Sequence, residues 1–439
     1  MAGASAFSKK IKHLLFSLLV ISFLFGTKFS INILSMEYYR GPVRGYEISL
    51  ADLITLGLII GMLLRNGNKI IWIPRFSGIF CLFFLYAVFN VYRSNYEVYG
   101  WFVIWQLFRM GVLYWCVVNF FATENYSHES FVAIMRGYTI TGLVLLAISF
   151  KQKYLDGIYR TWAFFDHSNT IPSFALIILC VLLIWGLREE KLLGFQHLIT
   201  LIAVLGLVFA VFSTSSRTGM VTAAGSVVCA LIIINFRGSN KRAHRATLLI
   251  GIFMLIGSLM ILDTFIYRFL YAPEESEEAR NEFEVAAVMM ADDHQFGVGL
   301  NQYSQVLTME ENYRKHIKVM INEEQGGVAH HIYLLTAAEM GYIGLYAFIF
   351  ILGLLLFSMI LFGITMKTIE QRLLLGLAVG FLVLYAIGLY EWVLRQSPVL
   401  YQFVVAAGFG QALITRVIQQ RKQKDNCEIP ESTSERYPE

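Results

Sequence analysis

Charge and proline are what this 439-residue chain has least of. Only 15% of its residues are Asp, Glu, Lys or Arg and seven are proline, whereas 57% are hydrophobic. Soluble domains carry nearer a quarter charged residues, so the shortage excludes a soluble enzyme, and the apolar surplus excludes a disordered chain. Cysteine is scarce as well. Cys81, Cys116, Cys180 and Cys229 lie inside apolar runs and Cys427 in the charged C-terminal stretch, with no two at metal-ligand spacing. That excludes a disulfide scaffold and a zinc cluster.

In place of charge there are long apolar runs. Blocks of roughly 18 to 25 residues recur from end to end, a length that a bilayer uses and a water-soluble core does not. Uninterrupted runs are helical spans and not the alternating ten-residue segments of an outer-membrane barrel. The expected fold is an all-α polytopic membrane protein with about twelve transmembrane helices, at about 11–33, 50–64, 76–92, 99–121, 130–150, 170–187, 195–212, 218–236, 246–265, 342–365, 373–390 and 398–415. The expected organisation is residues 1–265 as membrane helices one to nine, 266–330 as a large loop with short helices, 331–415 as helices ten to twelve, and 416–439 as a disordered cytoplasmic tail.

The net charge of +4 does not signal nucleic acid, because the basic residues gather in short connections between spans. Lys9, Lys10 and Lys12 precede the first span. Arg65, Lys69 and Arg75, then Arg188 and Lys191, then Arg237, Lys241, Arg242 and Arg245, then Lys367 and Arg372, and finally Arg416, Arg421, Lys422 and Lys424 occupy alternate connections. Assigning these to the cytoplasm puts both termini inside and the large loop outside. The segment from Glu124 to Glu129 is the exception, since it lacks any basic residue. No small-x-small site closes the first apolar block, so it reads as a span and not as a cleaved signal. The acidic cluster Glu274, Glu275, Glu277 and Glu278 in the large loop reads as a solvated face.

Polar groups near lipid are costly, so those at span ends are the candidates for chemistry. Ser213 to Gly219 form a polar hinge between two apolar helices that places Arg217 near a helix start, either as part of an anion site or as an interfacial arginine. Before the tenth span, His330, His331, Ile332, Tyr333 and Leu334 lead into Glu339, Gly341 and Gly344. On a helix the two histidines project about 100° apart, which disfavours joint metal ligation and leaves one as a proton acceptor or as a helix-start residue bonding backbone. Arg160 to Asn169, with His167, mix aromatic and hydrogen-bonding groups with one arginine, which suits a sugar or a lipid diphosphate and equally an interfacial belt. Asp292, Asp293 and His294 invite a metal, but adjacent aspartates point in different directions, so no metal is expected.

At these places the chain resembles the bacterial O-antigen ligase and O-antigen polymerase superfamily. His330-His331-Ile332-Tyr333-Leu334 followed by Glu339, Gly341 and Gly344 resembles its His-Asn-x-(aromatic)-Leu and Glu-x-Gly-x-x-Gly elements. Ser216-Arg217-Thr218-Gly219 is similar to its Ser-Arg-(small)-Gly element, and Phe165-Asp166-His167-Ser168-Asn169 to its Phe-x-His-Pro-Asn element. An arginine-led helix from Arg280 through Ala286 to Ala291, closed by Gly297-Val298-Gly299-Leu300, is the fourth. His331 stands where asparagine is usual and Ser168 where proline is usual.

The resemblance implies a GT-C-like inner-membrane glycosyltransferase that takes a glycan from a polyprenyl (undecaprenyl) diphosphate carrier to an acceptor hydroxyl on the periplasmic side, without cofactor or metal. A diphosphate leaving group needs its growing charge stabilised, which guanidinium groups do. The expected catalytic residues are His330 as base with Arg217 and Arg280. Arg160, His167, Asn169, Ser216, Tyr333 and Glu339 are the expected substrate-binding residues. The implied acceptor is a second lipid-linked glycan for a polymerase, lipid A core for a ligase, or protein serine or threonine. Membrane lipids, a flippase and a chain-length regulator are the implied partners. The rival of another class is a transporter of a lipid-linked sugar; the absence of two similar halves argues against it.

Overall fold

The computed structural model describes residues 2–26, 28–36, 38–66, 69–187, 194–236, 274–318 and 327–427. Its helices before the large loop are α1 (Ala2–Ser22), α2 (Leu50–Asn66), α3 (Ser77–Tyr92), α4 (Glu97–Thr123), α5 (His128–Phe150), α6 (Thr170–Gly186), α7 (Phe195–Ser213) and α8 (Arg217–Asn235). The loop contributes α9 (Glu274–Asp293), α10 (Tyr303–Met309) and α11 (Glu311–Arg314), and the chain ends with α12 (Ile332–Gly363), α13 (Ile369–Ile387) and α14 (Ser397–Cys427). The fold is all-α and polytopic: among the described residues seven helices are long and apolar enough to cross a membrane, and α3 and α6 are shorter apolar helices. The expected ninth span, 246–265, and the orienting residues Arg188, Lys191, Arg237, Lys241, Arg242 and Arg245 lie outside the described residues.

Two expectations are corrected. The first span does not run to residue 33: α1 ends in a tight turn at Phe23–Phe25, and Ser30–Ile33 form strand β1, paired antiparallel with β2 (Tyr46–Ser49). The cause is period: Ser-Ile-Asn-Ile alternates every second residue, which suits a strand and not a helix. The last helix does not end at residue 415; α14 continues to Cys427, so the stretch from 416 to 427 is helix and not tail.

The bundle is built around α6, of which every residue is buried. A helix apolar on all sides belongs in the centre of a bundle, and α5, α7, α8, α13 and α14 pack around it. Asn169 stands at its N-cap position, so that residue sits at the start of the most enclosed helix among the described residues. Beside it, Gly219 in the first turn of α8 allows close approach to α6, since a Cβ there would meet Pro172 Cγ at 2.7 Å.

The large loop has its own apolar core, in which Phe283, Ala287, Met290, Tyr303 and Leu307 pack on Leu335 and Ala338 of α12. A backbone interlock joins the two. Helix α12 breaks at Gly341, where φ is 68° and ψ is 177°, a conformation open only to glycine. Near the break, the carbonyls of Ala338 and Glu339 accept from Val298 N (2.8 Å) and Gly299 N (3.0 Å). A Cβ on Gly341 would lie 2.2 Å from the Gln295 carbonyl oxygen, and one on Gly297 2.3 Å from the Glu339 carbonyl carbon. The two glycine motifs of the sequence are therefore each other's partners. Asn90 of α3 closes the joint, donating to Phe296 O (2.6 Å) and accepting from Leu300 N (2.7 Å).

At the opposite end of the bundle, the acidic α4–α5 connection finds its counter-charges in α1. Lys12 pairs with Glu124, His13 Nε2 lies 3.3 Å from the same carboxylate, and Lys9 reaches Glu129 at 2.5 Å.

Candidate functional site

The loop from 156 to 169 is held in shape by a few buried polar groups. Gln152 accepts from Trp162 N (3.1 Å) and Ala163 N (2.9 Å) and donates to Ala163 O (3.0 Å). Thr161 binds the end of α7, through its N–H to Ser213 O (3.2 Å) and its hydroxyl to Ser213 Oγ (2.6 Å). This anchorage presents Arg160, whose Nε donates to Thr214 O (3.1 Å) and whose Nη2 donates to Asn169 Oδ1 (2.9 Å). Arg160 is thereby clamped to the hinge that precedes Arg217.

The centre of the cluster is Glu391, between α13 and α14. Its buried carboxylate accepts from the Asn169 amide, lies 3.6 Å from Arg280 Nη2 of α9 and 3.4 Å from His330 Nδ1. Four segments distant in sequence thus converge: the 156–169 loop, α9, the residues before α12, and the α13–α14 connection. Burial pushes the Glu391 carboxyl up, but hydrogen bonding to His330, the charges of His330 and Arg280, and the Asn169 amide outweigh it, leaving the group below the ordinary carboxylate range. It is a carboxylate at neutral pH.

The three histidines of the region are distinguished by their partners. His330 faces Glu391 with Nδ1; a carboxylate on that atom favours a proton there and leaves Nε2 as the acceptor. His167 Nδ1 accepts from Asn169 N (3.2 Å), which puts the proton of the neutral ring on Nε2 and makes that atom a donor. Burial lowers the His167 pKa, as do the charges of Arg160, His330 and Arg280, against an opposing contribution from Glu391. His331 is the N-cap of α12, its Nδ1 accepting from Leu334 N at 3.2 Å. The helix begins at Ile332, so His330 is not on it and the 100° helical separation of the two histidines does not apply.

The other expected residues divide. Arg217 opens α8 and is half-buried, and Ser216 is the cap of that helix, accepting from Gly219 N at 3.3 Å. Tyr333 donates its hydroxyl to Tyr385 O (2.9 Å), a tether between α12 and α13. Glu339, expected among the substrate-binding residues, is fully buried in an ion pair with Arg395 at 2.6 Å. Asp292 accepts from Tyr342 (2.6 Å) and Asp293 from Tyr313 (3.0 Å), and among the described residues no three His, Cys, Asp or Glu side chains gather to hold a metal. The reading from sequence missed Glu391; its only signal there is a lone carboxylate just past the eleventh span.

Fold and cluster together define a polytopic helical membrane protein whose cationic and hydrogen-bonding side chains meet at one end of the bundle. Residues 201–349 match the family described as O-antigen ligase, which supports the resemblance to the O-antigen ligase and polymerase superfamily. The match supports a ligase- or polymerase-type function in general terms. Arg217, Arg280 and His330 fall inside the matched region, Arg160, Asn169 and Glu391 outside it. No curated protein matches the chain.

Proposed function

We propose that the protein is an inner-membrane glycosyltransferase that moves a glycan from a polyprenyl diphosphate carrier to an acceptor hydroxyl on the periplasmic side, polymerising O-antigen or exopolysaccharide repeat units. The observation that carries this reading is the convergence of Arg160, Asn169, Arg280 and His330 around the buried carboxylate of Glu391. In the reaction, the acceptor hydroxyl loses its proton to His330 Nε2 while its oxygen forms the new bond to the anomeric carbon. The bond from that carbon to the phosphate oxygen breaks, and the diphosphate leaves with the electron pair. Arg280 and Arg217, with Arg160 as a third, stabilise its charge in place of a metal, and His167 Nε2–H donates to a phosphate or sugar oxygen. Glu391 holds the His330 ring and stabilises its protonated form.

A second reading has one observation in its favour: the matched family is described as O-antigen ligase. In that case lipid A core is the acceptor. Deleting the gene and resolving the glycolipids on a gel separates the two. Single repeats on lipid A core mark a lost O-antigen polymerase, free lipid-linked polymer marks a lost ligase, loss of secreted polysaccharide marks a lost exopolysaccharide polymerase, and no change in either glycolipids or secreted polysaccharide rules out all three. Turnover that survives a chelator is expected; loss in EDTA restored by one divalent ion would overturn the arginine-based mechanism.

A further inference from the structure

The β1–β2 hairpin is amphipathic in the opposite sense from a water-exposed ribbon. Its inward members on β2, Glu47 and Ser49, are polar and held in a largely buried network, while their β1 partner Asn32 is exposed. The Glu47 carboxylate accepts from Arg109 Nη2 (3.1 Å) and Ser397 Oγ (2.9 Å), its carbonyl accepts from Trp105 Nε1 (2.8 Å), and the Ser49 hydroxyl meets Tyr401 OH at 2.9 Å. Outward, at every second position, stand Phe29 just before β1 and Ile31 and Ile33 on it, exposed by 63%, 70% and 48%. A sheet with one face in water puts the apolar residues inside; apolar residues outside and polar inside is the pattern of strands that face lipid.

Three further observations fit a lipid occupant. Helix α2 follows β2 directly, and its exposed Leu50, Leu53, Leu56 and Ile60 continue the apolar surface of the hairpin along the wall of the bundle. Lys28, Arg40 and Arg44, all exposed, lie next to β1 and β2 in sequence, and cationic groups beside an apolar face reach phosphate headgroups. A two-stranded ribbon has two unpaired edges, which hydrocarbon does not tolerate, so its place is the headgroup boundary and not the membrane interior.

We propose that this hairpin is a membrane-contact element whose Phe29, Ile31 and Ile33 face lies against the acyl chains of the leaflet at the site end of the bundle, with Lys28, Arg40 and Arg44 on the phosphates. It is tied to the cluster at its base, where Phe25 packs on Phe164 with ring centroids 4.7 Å apart and Lys28 lies 3.6 Å from Asp166. At its far end Tyr39 donates to the Asn301 carbonyl and Val43 O accepts from Asn301 Nδ2 (2.8 Å). The hairpin therefore sets the depth of both the 156–169 loop and the large loop relative to the lipid headgroups, whatever acceptor the enzyme uses.

The test places a benzophenone side chain at Ile31, at Ile33 and, as a lipid-facing reference, at Leu53 of the full-length protein in nanodiscs of phosphatidylethanolamine and phosphatidylglycerol. Because all three positions are exposed, the substitutions leave the fold intact. Irradiation is expected to give phospholipid adducts at Ile31 and Ile33 in yields comparable to Leu53, read as a mass shift of one lipid. Adducts at Leu53 but not on the hairpin, or crosslinks from the hairpin to a second copy of the chain, would overturn the proposal.

Discussion

The substitution that separates His330 and His331 is carried by the atoms each ring engages. His331 caps α12 with Nδ1, and burial lowers its pKa despite an opposing backbone hydrogen bond, so the ring is neutral and able to accept near neutral pH. A histidine with a lowered pKa takes up its proton in the unfolded chain first. Its stabilising contribution is therefore present above the ordinary value, about 6.5, and lost as pH falls below it. Asparagine is a good N-cap and does not titrate, so His331→Asn is expected to keep wild-type product while its melting temperature falls less between about pH 7 and about pH 5. An inactive His331→Asn would show that the ring does more than cap. Glu391 calls for a different measurement. In Glu391→Gln the amide still accepts from His330, but the charge that holds the ring is lost. Turnover is expected to fall by roughly 10²-fold or more, with donor KM little changed. Full turnover in this variant would remove Glu391 from the mechanism.

At the scale of elements, the Glu339–Arg395 pair joins α12 to the connection that carries Glu391. Both side chains are buried, so removing one strands the other charge: Glu339→Ala is expected to lose roughly 3–5 kcal/mol of stability, seen as a lower melting temperature and lower yield. Replacing both, Glu339→Leu with Arg395→Met, is expected to recover most of the stability and the activity with it. A folded but inactive double variant would return Glu339 to the substrate. This pair also marks what a sequence can and cannot disclose. The glycine motifs at 297–299 and 341–344 are legible as patterns, as are Ser216 at a helix start and an arginine-bearing helix through Arg280, because each is local. Their pairing is not legible, since Gly341 needs to be glycine on account of a carbonyl at Gln295. Glu391 is hidden for the same reason: it looks like any loop carboxylate until the fold sets Asn169, 222 residues away, against it. The hairpin was hidden by hydropathy, which reads Ile31 and Ile33 as apolar whether they lie in a helix or on a lipid-facing strand.

For the whole molecule, the distribution of charge bears on which end faces the cytoplasm. The α4–α5 connection, acidic and without a basic residue of its own, packs against Lys9, Lys12 and His13, which places it at the end where the chain begins. Burial pushes the Glu124 carboxyl up, yet the hydrogen bonds and charges of His13 and Lys12 hold it at about 2, so the connection stays ionised and its charge is matched by the N-terminal segment. Gln420 of α14 donates to Glu370 at the start of α13 (3.1 Å), and α14 carries Arg421, Lys422 and Lys424 beyond that contact. Basic residues from α1 and α14 thereby share one end, and Arg160, Arg217 and Arg280 occupy the other. Basic residues concentrate on the cytoplasmic side, so a cytoplasm-dependent reporter fused after Tyr126 or after Lys424 is expected to be active, and an export-dependent reporter inserted after Arg314 is expected to be active in its turn. Export of the Tyr126 fusion would put the end that carries Lys9, Lys12 and Glu124 outside and invert the side on which the cluster works.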